Sequence, residues 1–313
     1  MHPLPAPQAS QLPMASPAVL PTPIRASRIS LSRRTSLLGY ALVAPVVICL
    51  LILVVYPFLF GVAISFTNRE IGSEGEFVGL ANFIYLSKLP SFQKSIVNTV
   101  VLVGVVQTMK LVFGLGIALL LNQAIRARQF WRGLILLPWA MPAFVAYLTW
   151  KLLYLPQGGA FNVISVGLGF GNVDFLSREL AMPSVILATF WRGFPFWVIS
   201  FLAALQSVPQ EQYEAAAIDG ASAWQRFWHI TLPGILPVVL VVVLLSTIWT
   251  TNSFENIWLI TQGGPSDATM TFPVLAYYGL QTLRIGEAAA VSVAMLPVFV
   301  TMAFIGVKLL EKE

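Results

Sequence analysis

Long apolar runs alternate along this chain with short polar stretches. Runs at 37–60, 95–121, 133–155, 183–206, 234–254 and 285–309 each approach the roughly 20 residues that a helix needs to cross a bilayer. They predict an all-α integral membrane fold with six transmembrane helices. One interval breaks the rhythm. Residues 207–233 read SVPQEQYEAAAIDGASAWQRFWHITLP, between the fourth and fifth runs, with no apolar run of their own. Ser207 with Gln210 and Ser222 with Gln225 have capping-box spacing, and Asp219-Gly220 supplies a stop between them. The interval therefore predicts a hairpin of two short helices, the second ended by Pro233. Trp224, Phe227, Trp228 and Thr231 share one face of that second helix. Alanines on the first helix allow close approach of another backbone, and the aromatics on the second can fill a groove.

Composition supports the membrane reading. Hydrophobic residues make up 57% of the chain and charged residues only 10%, against about a quarter charged in soluble domains. The net charge of +5 sits in particular loops, so it reads as topology and not as nucleic-acid binding. The single cysteine, Cys49, excludes a disulfide within the chain, and His2 and His229 are too far apart in sequence to suggest a metal site. Residues 1–36 are rich in Pro, Ala and Ser and predict a disordered tail. A signal peptide is the rival reading of this end, but the run at 37–60 is too long for a signal core.

Basic residues set the orientation. Arg25, Arg28, Arg33 and Arg34 precede the first run, and Arg126, Arg128 and Arg132 follow the second. Arg226, Lys308 and Lys312 fall on the same side if the spans alternate. Only Arg69, Lys88, Lys94, Arg178 and Arg284 lie opposite. The excess places both termini (310–313 at the C-terminal end) and the 207–233 hairpin in the cytoplasm.

Several polar residues interrupt the spans. Gln107, Lys110, Gly114 and Ala118 share one face of the second. Lys110 near mid-membrane must face protein or water, as a structural ion pair or as part of a solute path. Arg192 stands in the fourth span within Trp191-Arg192-Gly193-Phe194-Pro195-Phe196-Trp197, where Pro195 predicts a kink. The fifth turns polar at its end: Ser246, Thr247, Thr250, Thr251, Asn252, Ser253, Glu255 and Asn256. Those groups project on more than one side, which lipid does not tolerate. Asn252, Ser253, Glu255 and Asn256, with Lys110 and Arg192, are the candidate substrate-path residues. Asn252 and Asn256 are expected to hydrogen-bond the solute, with Glu255 joining them or neutralising a cation.

The hairpin carries a resemblance. Glu214, Ala215, Ala216, Asp219, Gly220, Ala221, Ile230, Leu232 and Pro233 fall as in the cytoplasmic EAA loop of permease subunits of binding-protein-dependent ABC importers. Two further stretches resemble the sugar-type branch: Phe77-Val78-Gly79-Leu80-Ala81-Asn82-Phe83, similar to F-x-G-L-x-N-(F/Y), and Thr261-Gln262-Gly263-Gly264-Pro265 through Thr269, similar to T-x-G-G-P-x-x-x-T. The resemblance runs from about Leu37 to the C-terminus. It implies a type I importer fold, with a first helix and outer loop at 37–93 and a transmembrane domain at 94–309. The hairpin would be the coupling helix that docks on an ABC ATPase through Glu214, Ala215, Ala216, Asp219, Gly220, Trp224 and Phe227.

The same resemblance implies no catalysis by this chain. No Walker A sequence is present, so it binds no cofactor, and ATP with Mg would be used by a partner ATPase dimer. The other implied partners are a second permease subunit and an extracytoplasmic solute-binding protein, in the cytoplasmic membrane of a bacterium or archaeon. The expected cargo is a sugar or polyol, with an anionic solute such as glycerol 3-phosphate as the alternative. A membrane transferase would need clustered acidic metal ligands, whereas Glu211, Glu214 and Asp219 are spaced for a helix face. A secondary transporter would show internal repeats, and the halves show none.

Overall fold

Segments with no chain partner for their backbone groups must satisfy them internally, and in a bilayer that means helix. The computed structural model describes residues 33–310, and helices dominate it. The expected tail lies outside the described residues up to residue 32. By internal contacts the chain divides at Val55 into two units. In the first, helix α1 (Arg33–Leu50) runs through Pro45 into a π-helical turn, Leu51–Val55. Its described side chains are apolar and largely exposed, Leu42 and Leu53 by more than 70%, as suits a surface solvated by lipid.

The second unit starts with α2 (Tyr56–Ser65), α3 (Ala81–Lys88) and α4 (Pro90–Asn122). Then come α5 (Arg128–Ala140), α6 (Ala143–Leu153), α7 (Ala160–Gly167) and α8 (Ala181–Ser207). The hairpin region holds α9 (Gln210–Ile218) and α10 (Ala223–Arg226). After it come α11 (Leu232–Thr251), α12 (Glu255–Ile260), α13 (Phe272–Gln281), α14 (Ile285–Ala294) and α15 (Leu296–Leu310). Among the described residues, four helical stretches are long and apolar enough to cross a bilayer: Leu38–Ser65, Pro90–Asn122, Ala181–Ser207 and Ala223–Thr251.

Of the other two predicted spans, the third is broken and the sixth is a shorter apolar helix, Ile285–Thr301. The third divides into α5 and α6, which meet at 89°. Pro142 stands at their junction and biases Met141 to the extended conformation it adopts. The sixth passes from α14 to α15 through one turn residue, Met295, which keeps a right-handed helical conformation two residues before Pro297, whose missing N–H loosens the ladder there. The fifth ends at Thr251, short of the expected 254, so Glu255 and Asn256 belong to the separate helix α12.

Helices α4 and α8 pack most closely. Gly114 lets the α4 backbone approach Trp197, where an added β-carbon would stand 2.9 Å from the Trp197 Cβ. Ala118, Leu121, Trp197, Phe201, Ile235 and Val239 form one buried cluster; Leu102, Val106, Tyr147, Trp150, Val185 and Ile257 belong to another. On the outside of α4, Val97, Val100 and Val112 are more than 60% exposed, while Gln107 and Lys110 are buried. Polar groups inside and aliphatic groups outside reverse the pattern of a water-soluble protein.

Loops are tied by asparagines. Asn82 Nδ2 donates to the Ser65 and Thr67 carbonyls, both at 2.8 Å, and so closes the end of α2. Asn98 Nδ2 donates to the carbonyls of Asp267 and Met270, each at 2.9 Å. Ser91 Oγ and Lys94 Nζ reach Asp267 at 2.8 and 3.6 Å. These bonds latch the Gly263-Gly264-Pro265 loop to the start of α4.

Candidate functional site

Two regions hold the residues singled out in the sequence. The first lies among α4, α6, α8 and α11. Ser246 on α11 is its hub. Its hydroxyl donates to Gln107 Oε1 (3.1 Å) and accepts from Trp197 Nε1 (3.0 Å) and Lys110 Nζ (3.3 Å). That uses its one donor and both acceptor positions. Lys110 Nζ also donates to Thr250 Oγ1 at 3.2 Å, and Gln107 Nε2 to Thr247 Oγ1 at 2.9 Å. Serine and threonine at 246, 247 and 250 thus turn an apolar helix towards α4, and they are all buried.

A cavity of about 100 Å³ opens beside this network. Lys110, Arg192, Thr189, Thr250 and Ser253 supply its polar lining, and Tyr147, Trp139, Phe196 and Trp249 its aromatic walls. The Arg192 guanidinium lies 5.9 Å from the centre of the Tyr147 ring, and its Nε is buried without a hydrogen-bond partner. Among the described residues the ion pairs are Lys94–Asp267 and Arg284–Glu287, so neither Lys110 nor Arg192 has a carboxylate partner.

The six path residues read from the sequence therefore separate. Lys110, Arg192 and Ser253 meet in one cavity. Asn252 is exposed, donates to the Ile248 carbonyl at 2.9 Å, and borders a different, mainly apolar groove of about 630 Å³ with Phe254, Tyr277 and Phe299. Glu255 is exposed at the start of α12 and pairs with no cation among the described residues. Asn256 is fully buried: its Nδ2 donates to Thr189 Oγ1 (3.0 Å), and its Oδ1 accepts from the Ile257 N–H (2.9 Å). Its amide is spent on holding α12 against α8. Tyr147 escapes a sequence reading because an aromatic within a span looks like packing, and the hydrogen bond from Trp197 to Ser246 is not visible in the stretch Trp191–Trp197 that the sequence singles out.

The second region is the hairpin. Helix α9 ends in a Schellman motif, with Ala221 N–H donating to the Ala216 carbonyl (2.8 Å) and Gly220 N–H to that of Ala217 (3.1 Å). Gly220 takes φ +78° there, a conformation that other residues adopt at a cost. The Ser222–Gln225 capping box is present with both of its bonds. The Ser207–Gln210 box is not: Ser207 is the last residue of α8 and donates to the Ala204 carbonyl at 2.8 Å. Nor does Pro233 end the second helix. A π turn over Phe227–Thr231 joins α10 to α11, with the Leu232 N–H bonded to the Phe227 carbonyl, and Pro233 sits in the first turn of α11.

Tyr213 and Thr231 hydroxyls, 3.0 Å apart, tie the two arms together. Trp224, Phe227 and Trp228 pack together with centroids 5.3–6.1 Å apart, Trp224 stacked on Phe227 and both edge to face with Trp228. Trp224 is 69% exposed, and Ile218, the last residue of α9, is 88% exposed. Glu214, Ala215 and Asp219 are exposed too, and Ala216 is half-buried.

Comparison with known proteins adds the family. Residues 110–313 match the family described as "Binding-protein-dependent transport system inner membrane component". The chain belongs to this family. Its relatives include the trehalose/maltose transport system permease protein MalF of Thermococcus litoralis, 35% identical over 88% of this chain and 95% of that protein. Another is the sulfoquinovosyl glycerol transport system permease protein SmoG of Agrobacterium fabrum, 32% identical over 83% of this chain and 85% of that protein. A solved bacterial alginate ABC transporter, in complex with an alginate pentasaccharide-bound periplasmic protein, superposes with a TM-score of 0.75 at 25% identity. The match covers 87% of this chain and 93% of that one. The chain is thus a permease subunit of an ABC importer, a membrane component and not an enzyme.

Proposed function

We propose that this permease forms half of the translocation path for a saccharide or related polyol. An extracytoplasmic binding protein delivers the solute, a second permease subunit completes the path, and an ATPase dimer supplies the energy. The observation that carries the cargo assignment is the 35% identity to a trehalose/maltose permease along 88% of the chain. The cavity beside Lys110 and Arg192, about 100 Å³, has room for one polar substituent of such a cargo. Its Thr250 and Ser253 hydroxyls can exchange hydrogen bonds with that substituent. Exposed Asn252 and Glu255 add hydrogen-bonding groups at the end of α11, whereas Asn256 serves packing.

The hairpin is the coupling element. Trp224 and Trp228 present an exposed aromatic surface on the second arm, and Ile218, Glu214 and Asp219 are exposed on the first, as suits a docking contact. The arginine excess puts this hairpin and both termini in the cytoplasm, where ATP is available. The test is saccharide uptake by cells that lack the gene. Restoring it should restore accumulation of one or a few labelled saccharides, dependent on metabolic energy and on the binding protein. Uptake that survives loss of the binding protein would overturn the assignment.

A further inference from the structure

We propose that the Lys110–Arg192 cavity is an oxyanion subsite that receives a carboxylate or sulfonate borne by the transported saccharide. This rests on the reading of the chain as a saccharide permease and narrows it to acidic saccharides. Lys110 is 4% exposed and lies 12 residues before the end of α4, about 18 Å at 1.5 Å per residue. A lysine so deep in a span is costly unless its charge is balanced. Its bonds go to the Ser246 and Thr250 hydroxyls, which are neutral and leave one ammonium proton free. Arg192 brings a second cation to the same cavity, with a buried Nε that has no acceptor. Neither cation forms an ion pair among the described residues.

The site is also built to hold its lysine. Gly193 leaves open the space that the lysine tip fills: an added β-carbon would stand 2.7 Å from Nζ. A cavity of about 100 Å³ has room for about three waters, or for one carboxylate in their place. Two cations, a free ammonium proton and two hydroxyls converge there. This donor set matches a planar or tetrahedral oxyanion better than a neutral hydroxyl. Glu255 is near enough to act electrostatically on Tyr147 of the wall, but it is outside the cavity lining and pairs with neither cation among the described residues.

Ser253 lines the cavity, and the chain has a single cysteine, Cys49, so one thiol can be placed at the site on a clean background. In the assembled complex carrying Cys49→Ala and Ser253→Cys, modification by an anionic sulfonatoethyl methanethiosulfonate is compared with that by its cationic trimethylammonium counterpart. After correction for their rates with a free thiol, the anionic reagent should react at least tenfold faster. Lys110→Gln or Arg192→Gln should reduce that preference severalfold. A preference near one in the complex would mean that a partner subunit already balances the pair, and would overturn the proposal. Protection then identifies the cargo. Oligo-uronates of one to six residues should slow the reaction more than neutral maltooligosaccharides of equal length. Equal protection by both would remove the oxyanion subsite and leave the saccharide reading standing. Protection by neither would remove both.

Discussion

Lys110 occupies the space that a side chain at position 193 would need. An added β-carbon at Gly193 would stand 2.5 Å from Cε and 2.7 Å from Nζ. The obstacle is the far end of a flexible side chain, so in Gly193→Ala the lysine yields while the backbone stays. It gives up its bonds to Ser246 and Thr250, at about 1.5–3 kcal/mol for bonds from a charged group. The two positions should therefore be coupled in a double-mutant cycle of thermal unfolding. Gly193→Ala should destabilise the wild-type background and cost almost nothing once Lys110→Ala has emptied the space. Additive costs would show that the contact is inconsequential.

Asn252 and Asn256 look alike in sequence and differ in place. Asn256→Ala leaves the buried Thr189 hydroxyl and Ile257 N–H without their partner, a loss of about 1–3 kcal/mol of stability. Its yield and melting temperature should fall. Asn252→Ala removes an exposed amide, so stability should change by less than about 0.5 kcal/mol. Any effect should appear as a raised half-saturating solute concentration. A stable Asn256→Ala with altered half-saturation alone would reverse the two roles.

At the hairpin, Gly220→Pro forces φ from +78° to about −65° and destroys the elbow. Glu214→Arg reverses an exposed charge without touching the fold. Both variants should insert and assemble with the second permease, yet lose solute-stimulated ATP hydrolysis in the complex. Glu214→Arg should weaken retention of the ATPase on a tagged permease severalfold. Wild-type stimulation in both would remove the docking assignment.

Asn82 closes α2 with two bonds from one amide. Asn82→Ala and Asn82→Asp both lose the donor and strand two carbonyls. Each should lower stability by about 1–3 kcal/mol, read as faster proteolysis of the 66–80 segment in membranes. Equal protection in wild type and variants would contradict the closing role.

Much of the architecture is legible in the chain because a bilayer imposes length and apolarity on any span. The Ser222–Gln225 box and the Gly220 elbow are legible for the same kind of reason, since local chemistry alone decides them. The Ser207–Gln210 box fails where local chemistry competes with a longer helix: α8 carries its ladder through Ser207, whose hydroxyl turns back to Ala204. Pro142 marks the break in the third span, but apolar composition does not distinguish a crossing helix from two short ones. The cavity is the least legible feature. Periodicity puts Gln107 and Lys110 on one face of α4, but only packing brings α8 and α11 to them, and with them Trp197, Ser246 and the space at Gly193. Asn256 shows the reverse error, since a polar residue beside a predicted path is spent on a neighbouring helix.

The central claim, that this chain passes a saccharide inward under the drive of a docked ATPase, is tested most directly in proteoliposomes. The chain is reconstituted with its second permease and its ATPase, with ATP enclosed and the solute-loaded binding protein added outside. The account predicts accumulation of labelled saccharide against its gradient. It also predicts severalfold stimulation of ATP hydrolysis by the loaded binding protein, with both signals lost in Glu214→Arg. Accumulation without ATP, or stimulation and transport that persist in Glu214→Arg, would contradict it.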